Sequence, residues 1–192
     1  MWPDVAFAIL DEADKIDEEF GLYLLLLLYH GPRKSEGLAL LSEDIRVAER
    51  AAYVRDSKNG DPRMIRIRED VVERLEAHLA RIGDRENLFR FHDGGHLKHL
   101  LLRAKLAVCG LPCPVRRPVG WKPPKYRLSF VTFHTFRHSF ATWFRFAGGD
   151  VQGLVGTGNW RDPRSAARYA HVVARQEWDR VEQFPSRPKV RA

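Results

Sequence analysis

The chain has 192 residues, 44% hydrophobic and 30% charged, with a net charge of +7, a length that suits one domain with a sizeable buried core. Its longest apolar run, Phe20 to Tyr29, is ten residues long, about half of what a membrane-spanning helix needs, and Met1-Trp2-Pro3-Asp4 has neither the basic patch nor the apolar stretch of a secretory signal. Two cysteines, Cys109 and Cys113, cannot build a disulfide framework, so the expected setting is a reducing cytoplasm with no membrane partner.

In chain order, a first helix is expected from Asp4 towards Ile16 and a second from Glu18 to Tyr29, whose leucine run implies burial on nearly all sides. Gly31-Pro32 ends it, and a shorter helix over Ser35 to Leu41 follows. Ile45 and Val47 then alternate with Arg46 as in a strand. Asn59-Gly60 signals a hairpin, and Ile65 and Ile67 alternate with Arg66 and Arg68 beyond it, which places Lys58 beside the hairpin tip. Val71 to Ile82 reads as a helix closing at Gly83, and His96 to Val108 as another before Gly110. A proline-rich connector spans residues 111–125. Phe136, Phe140, Trp143 and Ala147 recur at helical spacing up to Gly148-Gly149. Asp162-Pro163 has the form of an N-cap followed by proline at the first helical position, with a short helix over Ser165 to Ala170 carrying Tyr169. A last helix, Val173 to Gln183, presents Ala174, Trp178 and Val181 as a narrow stripe before a basic tail, residues 185–192, expected to be disordered. Together these elements predict an α+β fold, mainly helical, with a small antiparallel sheet at one edge.

The charge is unevenly spread. Residues 1–20 hold seven carboxylates against Lys15 alone, whereas residues 94–149 hold no Asp or Glu and ten cations, Lys98, Arg103, Lys105, Arg116, Arg117, Lys122, Lys125, Arg127, Arg137 and Arg145. Four histidines lie in the same tract, which is broken up by Trp121, Tyr126, Phe130 and Phe133. Such a tract suits a polyanion, because phosphates release counterions when Lys and Arg neutralise them; a solvated basic face is the plainer reading.

A phosphodiester attacked by a side chain needs a nucleophile, cations on its nonbridging oxygens and a proton donor for the departing alkoxide. Arg33 and Arg137 are candidates for the clamp, since guanidinium groups bind phosphate oxygens in bidentate fashion and stay charged. Lys58 is a candidate proton donor. Tyr169 is a candidate nucleophile that nearby cations or a base must help ionise. His134 lies one turn from Arg137, on the same edge of its helix. Taken singly, each has an ordinary structural reading: a surface ion-pair arginine, a turn lysine, a helix-capping histidine, a packing tyrosine.

Four blocks in order nevertheless resemble the catalytic domain of the tyrosine recombinases, the phage integrase family: Gly31-Pro32-Arg33-Lys34-Ser35-Glu36, Ser57-Lys58-Asn59-Gly60, His134-Thr135-Phe136-Arg137-His138, and Gly158-Asn159-Trp160 leading to Arg168-Tyr169-Ala170-His171. The resemblance covers nearly the whole chain, with residues 1–184 as the catalytic domain. It implies that Arg33 and Arg137 bind the scissile phosphate of double-stranded DNA, Lys58 is the general acid, His134 assists proton transfer and Tyr169 attacks. Trp160 stands where the family has His or Trp; its indole N–H can donate to a phosphate oxygen but cannot shuttle a proton. The resemblance further implies strand cleavage and rejoining through a 3′-phosphotyrosyl link without ATP, metal or other cofactor, and homo-oligomers on DNA joined through the C-terminal helix. Pro32 and Ser42 depart from the family's usual aliphatic residue and tryptophan. The helical clamp domain that usually precedes the catalytic domain is expected to be absent, the chain being either an excised domain or a truncated gene.

Two alternatives stay open: DNA relaxation like that of a type IB topoisomerase, and a DNA-binding domain with a silent site. Leu10-Asp11-Glu12-Ala13-Asp14 imitates a helicase box, but no phosphate-binding loop accompanies it. His96, His99, Cys109 and Cys113 have zinc-like types but the helix separates the two pairs, and Gly153, Gly156 and Gly158 do not fit a dinucleotide fingerprint.

Overall fold

Asp17 separates the first two helices. Its backbone is extended and its carboxylate accepts from the Phe20 amide at 3.1 Å, so it ends α1 (Pro3–Ile16) and caps α2 (Glu18–His30). A computed structural model describes residues 1–55 and 62–172 of the chain, which divides into two units, 1–140 and 141–192.

In the first unit α2 is the core. Phe20, Leu22, Tyr23 and Leu24 to Leu28 are all buried, as a helix apolar on every side must be. Helix α1 packs against it and against α5 (Gly95–Val108) through Ala6, Ile9, Leu10 and Ala13. The approach is close at Gly21, where a Cβ would come within 1.8 Å of Asp14 Oδ1. Tyr23 anchors an aromatic cluster with Phe89 and Phe133, at centroid distances of 5.3 and 6.1 Å. Helix α4 (Glu69–Ile82) adds Val71, Leu75 and His78 at helical spacing.

Beside this bundle lies an antiparallel sheet in the order β1 (Ile45–Arg46), β2 (Ala51–Val54), β3 (Arg63–Arg66). Register pairs Ile45 with Ala52, Ala52 with Ile65 and Val54 with Arg63. Ile45, Ala52, Val54 and Ile65 are buried while Met64 is exposed, which is the period-two pattern of a half-buried sheet. This is the mainly helical α+β arrangement expected. The predicted Asn59-Gly60 turn and Lys58 lie outside the described residues.

Several boundaries differ from expectation. The third helix, α3, runs over Lys34–Leu38 rather than Ser35 to Leu41, and the chain turns instead into the 3-10 segment Ser42–Asp44, whose Asp44 carboxylate accepts from the Leu41 amide at 3.0 Å. Val47 falls in a turn closed by Arg50 N–H on the Val47 carbonyl at 2.9 Å, so strand β1 stops at Arg46. Ile67 and Arg68 lie beyond β3, Arg68 as the residue that starts α4.

Helix α6 spans Phe133–Phe146. Of its expected apolar stripe, Phe136 is fully buried, Phe140 and Trp143 are half-buried and Ala147 is exposed. Arg137, Ala141 and Arg145, each four residues from the next, are buried, because both guanidiniums reach backbone carbonyls there.

The second unit contains α7 (Val151–Gly156), α8 (Pro163–Ala166) and the 3-10 turn Ala167–Tyr169. The predicted Ser165 to Ala170 helix is therefore split, with Asp162 accepting from the Ser165 amide at 3.0 Å and Pro163 in the first turn as expected. The stripe of Ala174, Trp178 and Val181 and the tail 185–192 lie outside the described residues.

Candidate active site

The turn that carries Arg33 is fixed from several sides. Gly31 ends α2 in the left-handed region, with φ of 69°, and a Cβ there would lie 2.5 Å from Phe140 Cδ1, so backbone conformation and packing both require glycine. His30, immediately before it, is buried. Its Nε2 accepts from the Arg68 amide at 3.1 Å and its Nδ1 faces the Leu26 carbonyl at 3.3 Å. Burial lowers its pKa from 6.5 to about 4, so the ring is neutral and Nδ1 is the donor. After Arg33, the Tyr23 hydroxyl donates to the Lys34 carbonyl at 3.0 Å, and burial pushes that phenol up from its ordinary value.

Glu36 aims Arg33. Its side chain is wholly buried and accepts from the Arg33 amide at 2.7 Å, from Arg33 Nη1 at 2.6 Å and from Arg63 Nη2 at 2.7 Å. Burial alone would raise its pKa, but the hydrogen bonds from Arg63 and from the Arg33 amide and side chain outweigh that and hold it at about 2. Arg33 itself keeps its side chain 39% exposed, leaving part of its donor fork for a ligand.

Arg137 and His134 come from the first turns of α6. The Thr132 amide donates to Thr135 Oγ1 at 2.9 Å, closing the helix start. Arg137 is buried and donates through Nη1 to the Gly31 carbonyl at 2.5 Å. His134 is exposed, with its ring edge-on to His138 at a centroid distance of 4.3 Å.

These side chains line a cleft of about 590 Å³, together with Lys34, Lys98, Lys105 and Asp93. Asp93 pairs with Lys34 at 2.6 Å. Lys105 is buried, donates to the Val131 carbonyl at 2.7 Å and lies over the Tyr126 ring at 5.3 Å; burial lowers its pKa from the ordinary value. Forked donors and point charges of this kind suit a tetrahedral dianion or a phosphodiester.

In the second unit Trp160 and Tyr169 are both buried and meet edge to face, with centroids 5.5 Å apart. Tyr169 closes the 3-10 turn, and the Val172 amide donates back to its carbonyl at 3.1 Å.

The first unit thus brings Arg33, His134 and Arg137 to one cleft, the second brings Trp160 and Tyr169 together, and Lys58 is outside the described residues. Sequence reading gave no role to Glu36, although the Arg33-x-x-Glu36 spacing at a helix start was the available signal. It counted Lys105 only as one cation of a tract. His99 turns out to pin the connector, with Nε2 at 2.9 Å from the Pro114 carbonyl and 3.2 Å from that of Val115.

Residues 1–176 match the model of the phage integrase family. The chain belongs to that family. No match was found among curated proteins. Among solved structures, this integrase-family chain is similar in fold to the catalytic domain of bacteriophage HP1 integrase, at 20% identity over 100% of this chain and 98% of that one, with a TM-score of 0.66. It is similar to XerA recombinase at 22% identity over 97% of this chain and 63% of that one, with a TM-score of 0.65. A structure of the Tn1549 transposon integrase in complex with a circular intermediate DNA is similar at 17% identity over 96% and 65%, with a TM-score of 0.69. The integrase-family chain therefore spans under two thirds of the XerA and Tn1549 chains.

Proposed function

We propose that the chain cleaves and rejoins DNA strands by transesterification at a phosphodiester, with Tyr169 as nucleophile. The observation that carries this reading is the convergence of Arg33 and Arg137 on one turn: Arg33 belongs to it, and Arg137 is tied to the Gly31 carbonyl within it. Two guanidiniums held in a fixed relation at a basic cleft suit the nonbridging oxygens of a phosphodiester, whose negative charge grows in the pentacovalent transition state.

In the proposed reaction the Tyr169 phenol gives its proton to a base, the role assigned to His134, and its oxygen bonds to phosphorus. The bond from phosphorus to the 5′ oxygen breaks, leaving a 3′-phosphotyrosyl link, and Lys58 gives a proton to the departing alkoxide. His134, exposed at the cleft beside Arg137, relays protons in both directions, and the Trp160 N–H donates to a phosphate oxygen. Attack by the 5′ hydroxyl of a partner strand reverses the step and conserves bond energy. Membership of the phage integrase family and a similar fold in a transposon integrase complexed with DNA support double-stranded DNA as the substrate. Protomers associate on that DNA through the segment that follows Tyr169.

A duplex nicked close to the cleavage point tests the reading, because the short 5′ fragment diffuses away and traps protein on DNA. A covalent adduct is expected with the unaltered chain and none with Tyr169→Phe, which still binds the duplex. Equal adduct from both proteins would refute the assignment, and none from either would leave a DNA-binding domain with a silent site.

A further inference from the structure

We infer that Arg145 is a positioning residue for Tyr169, an inference that rests on the proposed role of that tyrosine. Arg145 belongs to the basic tract that the sequence offers to a polyanion, yet it is 4% exposed and its guanidinium is spent on the protein's own backbone. Nε donates to the Val172 carbonyl at 3.0 Å, and Nη1 donates to the Gly149 carbonyl at 2.6 Å.

These two acceptors stand at different points of the chain. Gly149 lies just past the end of α6, and Val172 lies three residues beyond Tyr169. Val172 is held on both sides, its carbonyl by Arg145 and its amide by the Tyr169 carbonyl at 3.1 Å. The Ala170 amide bonds to the Ala167 carbonyl at 2.9 Å, completing a short tether around the phenol-bearing turn. A 3-10 turn of three residues holds its geometry poorly unaided, and the segment needs a fixed point to deliver a nucleophile to within a few tenths of an ångström. Only a planar fork with diverging donors reaches both carbonyls at once. The Gly149 end of the tether is itself closely packed, since a Cβ at Gly149 would come within 2.1 Å of the Phe144 ring.

The test uses the full chain on the nicked duplex at saturating concentration, scoring the single-turnover rate of phosphotyrosyl formation beside DNA affinity and thermal melting. Arg145→Met is expected to slow adduct formation by about 100-fold, with affinity unchanged within about twofold. Arg145→Lys retains the charge but gathers its donors on one nitrogen; it is expected to melt within a few degrees of the unaltered chain yet to cleave about tenfold more slowly. A duplex with sulfur in place of the bridging 5′ oxygen needs no proton donor at its leaving group, so it should rescue Lys58→Ala but neither Arg145 variant. Cleavage by Arg145→Lys at the unaltered rate, or rescue of the Arg145 variants by sulfur, overturns the inference. A loss of rate that only follows lost DNA affinity or melting temperature also overturns it. Failure of the underlying reading shows differently, as an unaltered chain that forms no adduct or a Tyr169→Phe chain that does.

Discussion

Arg137 donates through Nη1 to the carbonyl oxygen of Gly31 at 2.5 Å, which makes one backbone turn the reference for both arginines of the cleft. Gly31→Ala tests that dependence. A side chain there must hold φ near 69° at about 1–2 kcal/mol, and its Cβ must displace the Phe140 ring at about 1–3 kcal/mol more. Urea unfolding should show the combined loss, and adduct formation should fall further than stability alone accounts for, because the turn that sets Arg137 has moved.

Neutralising either arginine should be costly. Arg33→Ala and Arg137→Ala are each expected to slow adduct formation by about 10²–10³ through lost charge stabilisation. Lysine should recover only part at either position, since a point charge cannot serve both a protein carbonyl or carboxylate and a phosphate. Full activity in Arg137→Lys would argue against two-pronged contact.

Acid should destabilise the fold in two windows that meet near pH 4. His30 has a folded pKa lowered from 6.5 to about 4, so between those values the unfolded chain takes up a proton that the folded chain refuses. Stability therefore falls as pH drops through that range, by roughly 3 kcal/mol. Glu36 has its pKa lowered from 4.5 to about 2; its contribution is complete above about pH 4.5 and is lost towards pH 2, again by roughly 3 kcal/mol. Urea melts across pH should show His30→Gln flattening the upper window alone. Glu36→Gln should flatten the lower one and cost stability at neutral pH, where Arg63, with a side chain only 10% exposed, loses its carboxylate.

Lys98, Arg116, Arg117, Lys122, Lys125 and Arg127 are exposed cations of the acid-free tract. Binding to random-sequence duplex should weaken steeply with salt, and each of these that meets a phosphate should lower the log–log slope by about 1 when changed to alanine. An unchanged slope after all six substitutions would place the duplex elsewhere.

The spacing of Ala174, Trp178 and Val181, which begins five residues after the tyrosine, predicts a stripe too narrow for a core helix. Trp178→Ala is expected to leave melting and one-site DNA binding intact while weakening association of protomers on two-site DNA, read by sedimentation. A large fall in melting temperature with unchanged assembly would show instead that Trp178 packs within its own chain.

What the sequence made legible follows the range of the interactions involved. Helices with long apolar periods, such as α2 and α4, could be read because burial on a regular spacing marks them locally. Helix α7 escaped because Gly153 and Gly156 depress helical propensity and Leu154 alone of its residues is buried; its signal was the Asp150 cap, which accepts from the Gly153 amide at 2.6 Å. In the cleft, His134 and Arg137 could be picked out because they stand one helical turn apart, and Arg33 because its block, Gly31-Pro32-Arg33-Lys34-Ser35-Glu36, resembles the family's. Arg63 on Glu36 and Lys105 on Val131 pair residues far apart in sequence, and no local pattern announces such partners. The inward turn of Arg137 and Arg145 was likewise hidden, since an arginine on an apolar helix face ordinarily reads as solvated.

That inward turn divides the tract's positive charge into two currencies. Lys105, Arg137 and Arg145 hold the carbonyls of Val131, Gly31, Gly149 and Val172, so they act as internal struts, while the exposed lysines and arginines generate the outward field. Chemical acylation of the exposed lysines would therefore weaken the electrostatic reach of the molecule, to which Arg116, Arg117 and Arg127 would still contribute, and leave its skeleton standing. Loss of a single strut would do the reverse, collapsing local geometry while the electrophoretic mobility changed by only one charge.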